Sequence, residues 1–338
     1  MTSHLRSVLI IGAGGIGRRH IIGYRQTGRA RLTIVEPDAA KRAAIVSEFR
    51  PEAAFAELGE ADPASHDLAV ICAPANHHVP IMRACLEAGL PFLVEKPLAV
   101  TEDGVDEVIA EVERANLLAR VGYIRRIAPE IINLRRQIED GKIGTLKLAY
   151  LNSSQEFPKY RPDFQRTYYA RPEMGGGAIL DAASHSFDLL ISIMGRPVTV
   201  GAMYDRLALQ GTETEDTCLI SIRFESGAMA NLTINQFQKR NVANAEFIGT
   251  KGNLKLEHAK LSFADDDSGH WSEQRDFMEG MIPMEAHQAR FALQAEAMLD
   301  ALDNVADPLA TLQDARINLA LALAAKRSWI ERRFIELE

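Results

Sequence analysis

Cysteine is scarce in this chain. Cys72, Cys85 and Cys218 are the three among 338 residues, widely spaced and each embedded in apolar sequence. So thin a set excludes a disulfide framework and a closed tetrahedral zinc site, and it predicts reduced packing residues. An excess of positive charge is also lacking. With 38 Lys and Arg against 46 Asp and Glu, the formal net charge is -8. Nucleic acid and anionic membranes both reward clustered basic residues, so neither is an expected partner, and small molecules become the expected ligands. The first residues run into a predicted strand without a charged n-region, an apolar h-region and a cleavage site. No later stretch reads as membrane-spanning, so cytoplasmic residence is the expectation. No fixed-period repeat and no low-complexity tract occurs; ADDDSG at Ala264 to Gly269 reads as a short solvated acidic loop.

What is present is ordinary globular material, 47% hydrophobic and 25% charged, in a chain longer than one core comfortably serves, so two domains are expected. The first third alternates β-rich apolar runs (SVLIIG, RLTIVE, DLAVICAP, PFLVEK, ARVGY) with amphipathic segments at Gly15 to Thr27, Ala39 to Phe49, His78 to Ala88 and Thr101 to Ala115. Thr101 reads as an N-cap of the last of these. Strands joined by crossover helices, with runs as apolar as LAVIC, predict a doubly wound parallel sheet over residues 1–122. Residues 123–338 read as a second α/β domain: a helix at Pro129 to Glu139, a strand at Thr145 to Asn152, a helix at Ile179 to Met194, then mainly antiparallel strands. CLISIRF and MANLTINQF flank Glu225, Ser226 and Gly227 as a hairpin. The segments Glu285 to Asn304 and Thr311 to Ser328 have helical spacing and are candidates to pack back across the first domain.

Gly12, Ala13, Gly14, Gly15, Ile16 and Gly17 form G-x-G-x-x-G between the first strand and the first helix. Gly12 permits the tight turn, Gly14 admits a pyrophosphate to the backbone, and Gly17 permits close helix-to-strand packing, while the helix N-terminus supplies N–H donors. Glu36, about 20 residues on at the end of the second strand, can accept from the adenosine ribose hydroxyls, which favours NAD over NADP unless Lys41 or Arg42 compensates a 2′-phosphate. The plainer reading of Glu36 is an exposed acid at a strand end.

Two further clusters carry chemistry. Glu95, Lys96 and Pro97 stand at the carboxyl end of a predicted strand, where open α/β sheets assemble ligand crevices; Lys96 there can steady a developing alkoxide, the alternative being a surface ion pair with Glu95. In GGGAILDAASHSFDLL, Asp181 and His185 are four residues apart and share a predicted helix face, which makes a carboxylate-held histidine base; Asp188 is a second acid within reach. No HExxH or cysteine-rich partner completes a metal site, so none is expected. The preceding segment is rich in Arg, Tyr and Gln, and Arg166, Tyr168 and Arg171 are candidates for substrate recognition.

Together, GAGGIG, the Glu95-Lys96-Pro97 run, GGGAILDAASH, the segment from Ala73 through Val100 and VGYIRR resemble the glucose-fructose oxidoreductase and inositol dehydrogenase family, Gfo/Idh/MocA, over most of the chain. The resemblance implies an N-terminal Rossmann domain, a C-terminal α/β domain with a large open sheet, and a homodimer or homotetramer formed through that sheet. It implies NAD or NADP contacts at Gly12, Gly14, Gly15, Ile16, Gly17, Glu36, Pro74, His78, Glu95 and Lys96. It also implies a catalytic trio of Lys96, Asp181 and His185, with Tyr123 joining them and the loop residues at the substrate, a cyclic polyol or sugar derivative. Ile124 departs from the Asn that many relatives carry there, which leaves the substrate contacts near it open. Two other activities compete with a dehydrogenase: a non-catalytic dinucleotide-binding regulator, and NAD-dependent redox-assisted glycoside cleavage without net cofactor turnover.

Overall fold

The apolar runs become the centre of a parallel sheet. A computed structural model describes residues 5–265, 267 and 269–337, and the chain divides into two compact units, Met1–Ile127 with Ile282–Arg316 and Ala128–Met281 with Ile317–Glu338. In the first unit the strands are β1 (Arg6–Ile11), β2 (Ala30–Val35), β3 (Ala53–Phe55), β4 (Leu68–Ile71), β5 (Phe92–Val94) and β6 (Ala119–Val121). They lie in the order β6-β5-β4-β1-β2-β3, with Ala310–Thr311 antiparallel on β6. Every residue of β4 is fully buried, as expected of a strand covered on both faces. Strand order reverses between β1 and β4, and ligand crevices of open α/β sheets form at such a point.

Helices α1 (Gly15–Thr27), α2 (Ala39–Phe49), α3 (His78–Glu87) and α4 (Val105–Arg114) connect these strands. Two local features differ from the sequence reading. Strand β3, three partly exposed residues long, carries too short an apolar run to be seen. Helix α4 starts four residues later than Thr101: the Thr101 hydroxyl is spent on Asp103 at 2.9 Å, and Gly104, at φ +72°, serves as the N-cap. The helix Pro283–Leu302 belongs to this unit. It passes so close to α1 that a Cβ on Gly23 would lie 2.7 Å from the Phe291 carbonyl oxygen, and Ala295, Met298 and Leu299 share a core with Tyr24, Val8 and Val70.

The second unit is built on a nine-stranded sheet. Its strands are β7 (Leu146–Glu156), β8 (Pro197–Asp205), β9 (Thr217–Phe224), β10 (Met229–Asn235), β11 (Phe237–Gly249), β12 (Gly252–Glu257), β13 (Lys260–Asp265) and β14 (Ser272–Asp276). The order is β14-β13-β12-β11-β7-β10-β9-β8, closed by Ile335–Glu336. All neighbours are antiparallel except β7 and β10. Strand β9 shows why one face is core: Cys218, Ile220, Ile222 and Phe224 point inward, while Leu219, Ser221 and Arg223 point out. The expected β9–β10 hairpin turns through Gly227 at φ +80°. Helix α5 (Pro129–Glu139) precedes β7, and α6 (Ser184–Met194) precedes β8.

The stretch entering α6 corrects two expectations. Residues 178–183 form a π-helix rather than the first turns of an α-helix. The continuous segment Pro172–Met194 is also long and apolar enough, by length and composition, to cross a membrane, whereas the sequence reading found none; 78% of its apolar window is buried inside the fold, as in a core helix. Of the acidic loop at 264–269, Ala264 and Asp265 finish β13, and residues 266 and 268 lie outside the described residues. All three cysteines are free thiols. Burial pushes Cys85 up to about 12 and raises Cys72 and Cys218 as well, so none is poised as a nucleophile.

Candidate active site

In the first unit the glycine turn has the geometry that the spacing of Gly12, Gly14 and Gly17 requires. Gly12 sits at φ +94°, with a hypothetical Cβ only 2.9 Å from backbone atoms of Cys72 and Ala73. A Cβ on Gly17 would stand 2.0 Å from the Gly12 carbonyl oxygen, so this glycine is what lets α1 start against β1. A Cβ built on Gly14 or Gly15 would meet nothing within 4 Å beyond its chain neighbours and the helix's own backbone. That open space at a helix N-terminus, with Ile16 in the first turn of α1, is a cradle an anionic group fits.

Glu36 is buried rather than an exposed strand-end acid. One carboxylate oxygen accepts the Ala13 N–H at 2.8 Å, and the other accepts the Asp38 N–H at 3.0 Å. A carboxylate has about four acceptor sites, so with these two donors engaged Glu36 keeps lone pairs for further donors while fixed against the turn. Arg42 is tied to the Glu36 carbonyl at 2.6 Å and the Pro37 carbonyl at 3.2 Å, and Lys41 stands 3.7 Å from Asp38. Asp38 caps α2 by accepting from the Ala40 and Lys41 N–H groups, which with the Lys41 charge hold its carboxyl below the usual range. The compensating cations are thus already occupied beside two acids.

At the end of β5 the structure adds a residue the sequence reading missed. The Glu95 carboxylate is buried, 2.7 Å from Nε2 of the fully buried His20, and its other oxygen accepts the Lys96 backbone N–H at 3.2 Å. Gly122 makes room for it: a Cβ there would fall 2.8 Å from a Glu95 oxygen. Glu95 is therefore not half of a surface ion pair; it anchors the backbone from which the half-buried Lys96 projects, and the Lys96–Pro97 peptide is cis. The signal for His20 was available, since it falls on the same α1 stripe as Gly17 and Tyr24, where a polar residue calls for a partner.

His78, at the start of α3, is 1% exposed and braces two loops. Nε2 lies 2.9 Å from the Ala73 carbonyl, and Nδ1 lies 3.0 Å from that of Pro97 and 3.2 Å from that of Leu98. Burial lowers its pKa despite these acceptors. Pro74 leads into the turn between Ala73 and His78. Tyr123 is 1% exposed and Ile124 4%, so both side chains are buried.

In the second unit, Asp181 lies in the π-helix and His185 on the first turn of α6. Asp181 is 8% exposed and accepts a hydrogen bond from the Tyr168 hydroxyl at 3.1 Å. The same loop is anchored by Tyr169, packed with Phe164 and Leu209 against Phe157 and Phe237. Burial, then the carboxylates of Asp181, Glu215 and Asp216, raise the Tyr169 phenol far above its usual range. Tyr168 is thus brought to the acid that the sequence reading made catalytic, while Arg166 and Arg171 are exposed. Asp188 is 1% exposed. A groove of about 570 Å³ on the sheet of this unit, between Met203, Leu219, Trp329 and Phe334, contains none of these candidates; site residues and groove are separate features.

Comparison with known proteins matches both halves of the chain. A family model described as "Oxidoreductase family, NAD-binding Rossmann fold" covers residues 6–123, and one for the "GFO/IDH/MocA C-terminal domain" covers residues 131–255. The inositol 2-dehydrogenase of Corynebacterium glutamicum is 30% identical over 70% of this chain and 68% of its own length. The myo-inositol 2-dehydrogenase of Thermotoga maritima is 24% identical over 97% and 98%. Among solved structures, a levoglucosan dehydrogenase in complex with NADH and levoglucosan superposes with a TM-score of 0.88 at 19% identity, over 99% of this chain and 100% of that one. The WlbA dehydrogenase of Bordetella pertussis, in complex with NADH and UDP-GlcNAcA, gives 0.85 at 22% identity, over 100% and 99%. At such identities these structures show the shared fold.

Proposed function

The chain belongs to the Gfo/Idh/MocA oxidoreductase family, and from that membership we propose that it transfers hydride between a nicotinamide dinucleotide, NAD in preference to NADP, and a hydroxyl-bearing carbon of a cyclic polyol, sugar or sugar derivative. The observation that carries the reading is the open cradle at Gly14 and Gly15 with the Glu36 carboxylate fixed against the same turn. Relatives named inositol dehydrogenases support the substrate class.

In the oxidative direction, His185 accepts the substrate hydroxyl proton while Asp181, held by Tyr168, orients the imidazole and stabilises the imidazolium. Lys96 donates to the oxygen as negative charge develops on it. A nicotinamide dinucleotide held at the glycine turn and Glu36 would supply the acceptor for the carbon-bound hydrogen and its electron pair. Electrons and atoms balance: one proton goes to His185, one hydride to the cofactor, and the carbinol becomes a carbonyl. Arg166 and Arg171, exposed and charged, recognise hydroxyl or carboxylate groups on the substrate.

Cofactor preference gives a direct test. Glu36→Gln keeps an oxygen for the Ala13 N–H but removes the charge that repels a 2′-phosphate, so the NADH-over-NADPH affinity ratio is expected to fall by about tenfold. An unchanged ratio in fluorescence titrations removes Glu36 from the specificity assignment.

We also propose that copies of the chain associate through the outer face of the nine-stranded sheet, where Tyr150, Met203, Leu219 and Met229 are each 41–52% exposed. Apolar groups gathered on one sheet face suit a partner surface. Light scattering is expected to find a dimer or tetramer that Met203→Glu/Leu219→Glu converts to monomer. A monomeric parent protein refutes this assembly.

A further inference from the structure

Glu215 has no part in the chemistry assigned above, yet it is 7% exposed and stands where the catalytic helix begins. Its Oε1 accepts the Ile179 N–H at 2.9 Å, and its backbone carbonyl accepts the Ala178 N–H at 2.9 Å. Those are the first two donors of the π-helix, which would otherwise be orphaned in the interior. Gly177, at φ +102°, makes the approach possible: a Cβ there would lie 2.7 Å from the Glu215 carboxylate.

The neighbours of Glu215 act on the same segment. The Glu213 N–H donates to the Ala170 carbonyl at 3.0 Å, and the Thr214 hydroxyl donates to the Tyr169 carbonyl at 2.8 Å. Residues 213–215 therefore hold both partners of the Tyr168–Asp181 hydrogen bond, the turn that carries Tyr168 and the helix that carries Asp181. The long helix Leu312–Glu331 completes the bracket. Lys326 Nζ lies 3.4 Å from the second Glu215 oxygen. At the far end of the π-helix, the Ser184 hydroxyl donates to the Asp181 carbonyl at 2.8 Å, and the buried Asn318 amide donates to the Ser184 carbonyl at 2.8 Å.

A carboxylate suits this position because it only accepts. One oxygen can take a backbone N–H while the other faces an ammonium, and the helix N-terminus favours its charge. A π-helix is a costly local form that recurs at functional sites. Here both of its ends are tied down by buried side chains, and Asp181 lies between them.

We propose that Glu215, charge-balanced by Lys326, is a positioning residue that fixes the π-helix and with it the place of Asp181. The inference rests on the catalytic reading of Asp181 and His185. Two conservative variants separate its parts. Glu215→Asp keeps the charge but withdraws it by one methylene from the Ile179 N–H. Glu215→Gln keeps the reach and an acceptor oxygen. A displacement of about an ångström at a reacting group can cost on the order of 10²-fold in rate, so kcat is expected to fall at least about tenfold in Glu215→Asp and less than about threefold in Glu215→Gln. NADH affinity is expected to stay within about twofold in both, since it is read at the glycine turn.

Hydrogen exchange over residues 177–185 is the readout that does not need turnover, and it is expected to speed up in Glu215→Asp and not in Glu215→Gln. If the parent protein oxidises no polyol or sugar, the functional proposal fails while the exchange data still decide whether Glu215 holds the helix. Unchanged exchange and kcat in folded Glu215→Asp, or a greater loss in Glu215→Gln than in Glu215→Asp, overturns the assignment.

Discussion

Lys96→Met and His185→Ala are each expected to lower kcat by about 10³-fold or more while leaving the protein folded and NADH affinity within about threefold of the parent. The size follows from the two roles. General-base transfer contributes typically about 10² to 10⁴ in rate, and a donor aimed at developing negative charge about 10² to 10³. Lys96 projects from a segment fixed by Glu95, which His20 and the Lys96 N–H already engage. His185 lies on a helix whose buried face is made by Phe187, Leu189 and Leu190. Methionine at 96 keeps the length of the lysine stem and removes the ammonium with its charge and its N–H donors. Steady-state kinetics, with circular dichroism and NADH titration as controls, provide the check. Near-parental kcat in either variant removes that residue from the mechanism.

The second large effect is expected at the glycine turn, and there two substitutions separate folding from binding. A Cβ on Gly17 would lie 2.0 Å from the Gly12 carbonyl oxygen, closer than any real contact, so Gly17→Ala forces α1 away from β1. Overpacking of this kind typically costs about 1–3 kcal/mol. NADH affinity is expected to fall more than about 100-fold along with Tm. Gly14→Ala differs, because nothing stands within 4 Å of the added methyl. Its Tm is expected to match that of the parent, while NADH affinity falls by at least about tenfold, since the methyl occupies the space a pyrophosphate approaches. Calorimetry alongside fluorescence titration reads both. A Gly14→Ala protein that binds NADH normally places the phosphates elsewhere.

The parallel sheet was legible because both of its signals are local. Fully buried strands read as unbroken apolar runs, and α1, α2 and α5 begin and end where sequence periodicity puts them. The start of α4 was not, because the choice between Thr101 and Gly104 as cap depends on where the Thr101 hydroxyl is spent. Helical spacing singled out Asp181 and His185 as candidates, but a π-helix is invisible to spacing alone. Its ends are hydrogen-bonded by Glu215, Ser184 and Asn318, of which Glu215 and Asn318 are more than 30 residues away in sequence. The same reason hid His20, whose partner Glu95 is 75 residues distant. Glycines, by contrast, declare themselves: Gly12 and Gly17 are where a Cβ does not fit.

The most direct test of the account is titration of the purified protein with NADH and NADPH by fluorescence, followed by a screen of cyclic polyols, sugars and sugar acids for change in the near-ultraviolet absorbance of the reduced nicotinamide. Tighter binding of NADH, with net reduction of NAD by at least one cyclic polyol or sugar, is the expected result. Binding without net turnover would contradict the dehydrogenase assignment and favour a regulator or redox-assisted glycoside cleavage, and no binding of either dinucleotide would contradict the cofactor site itself.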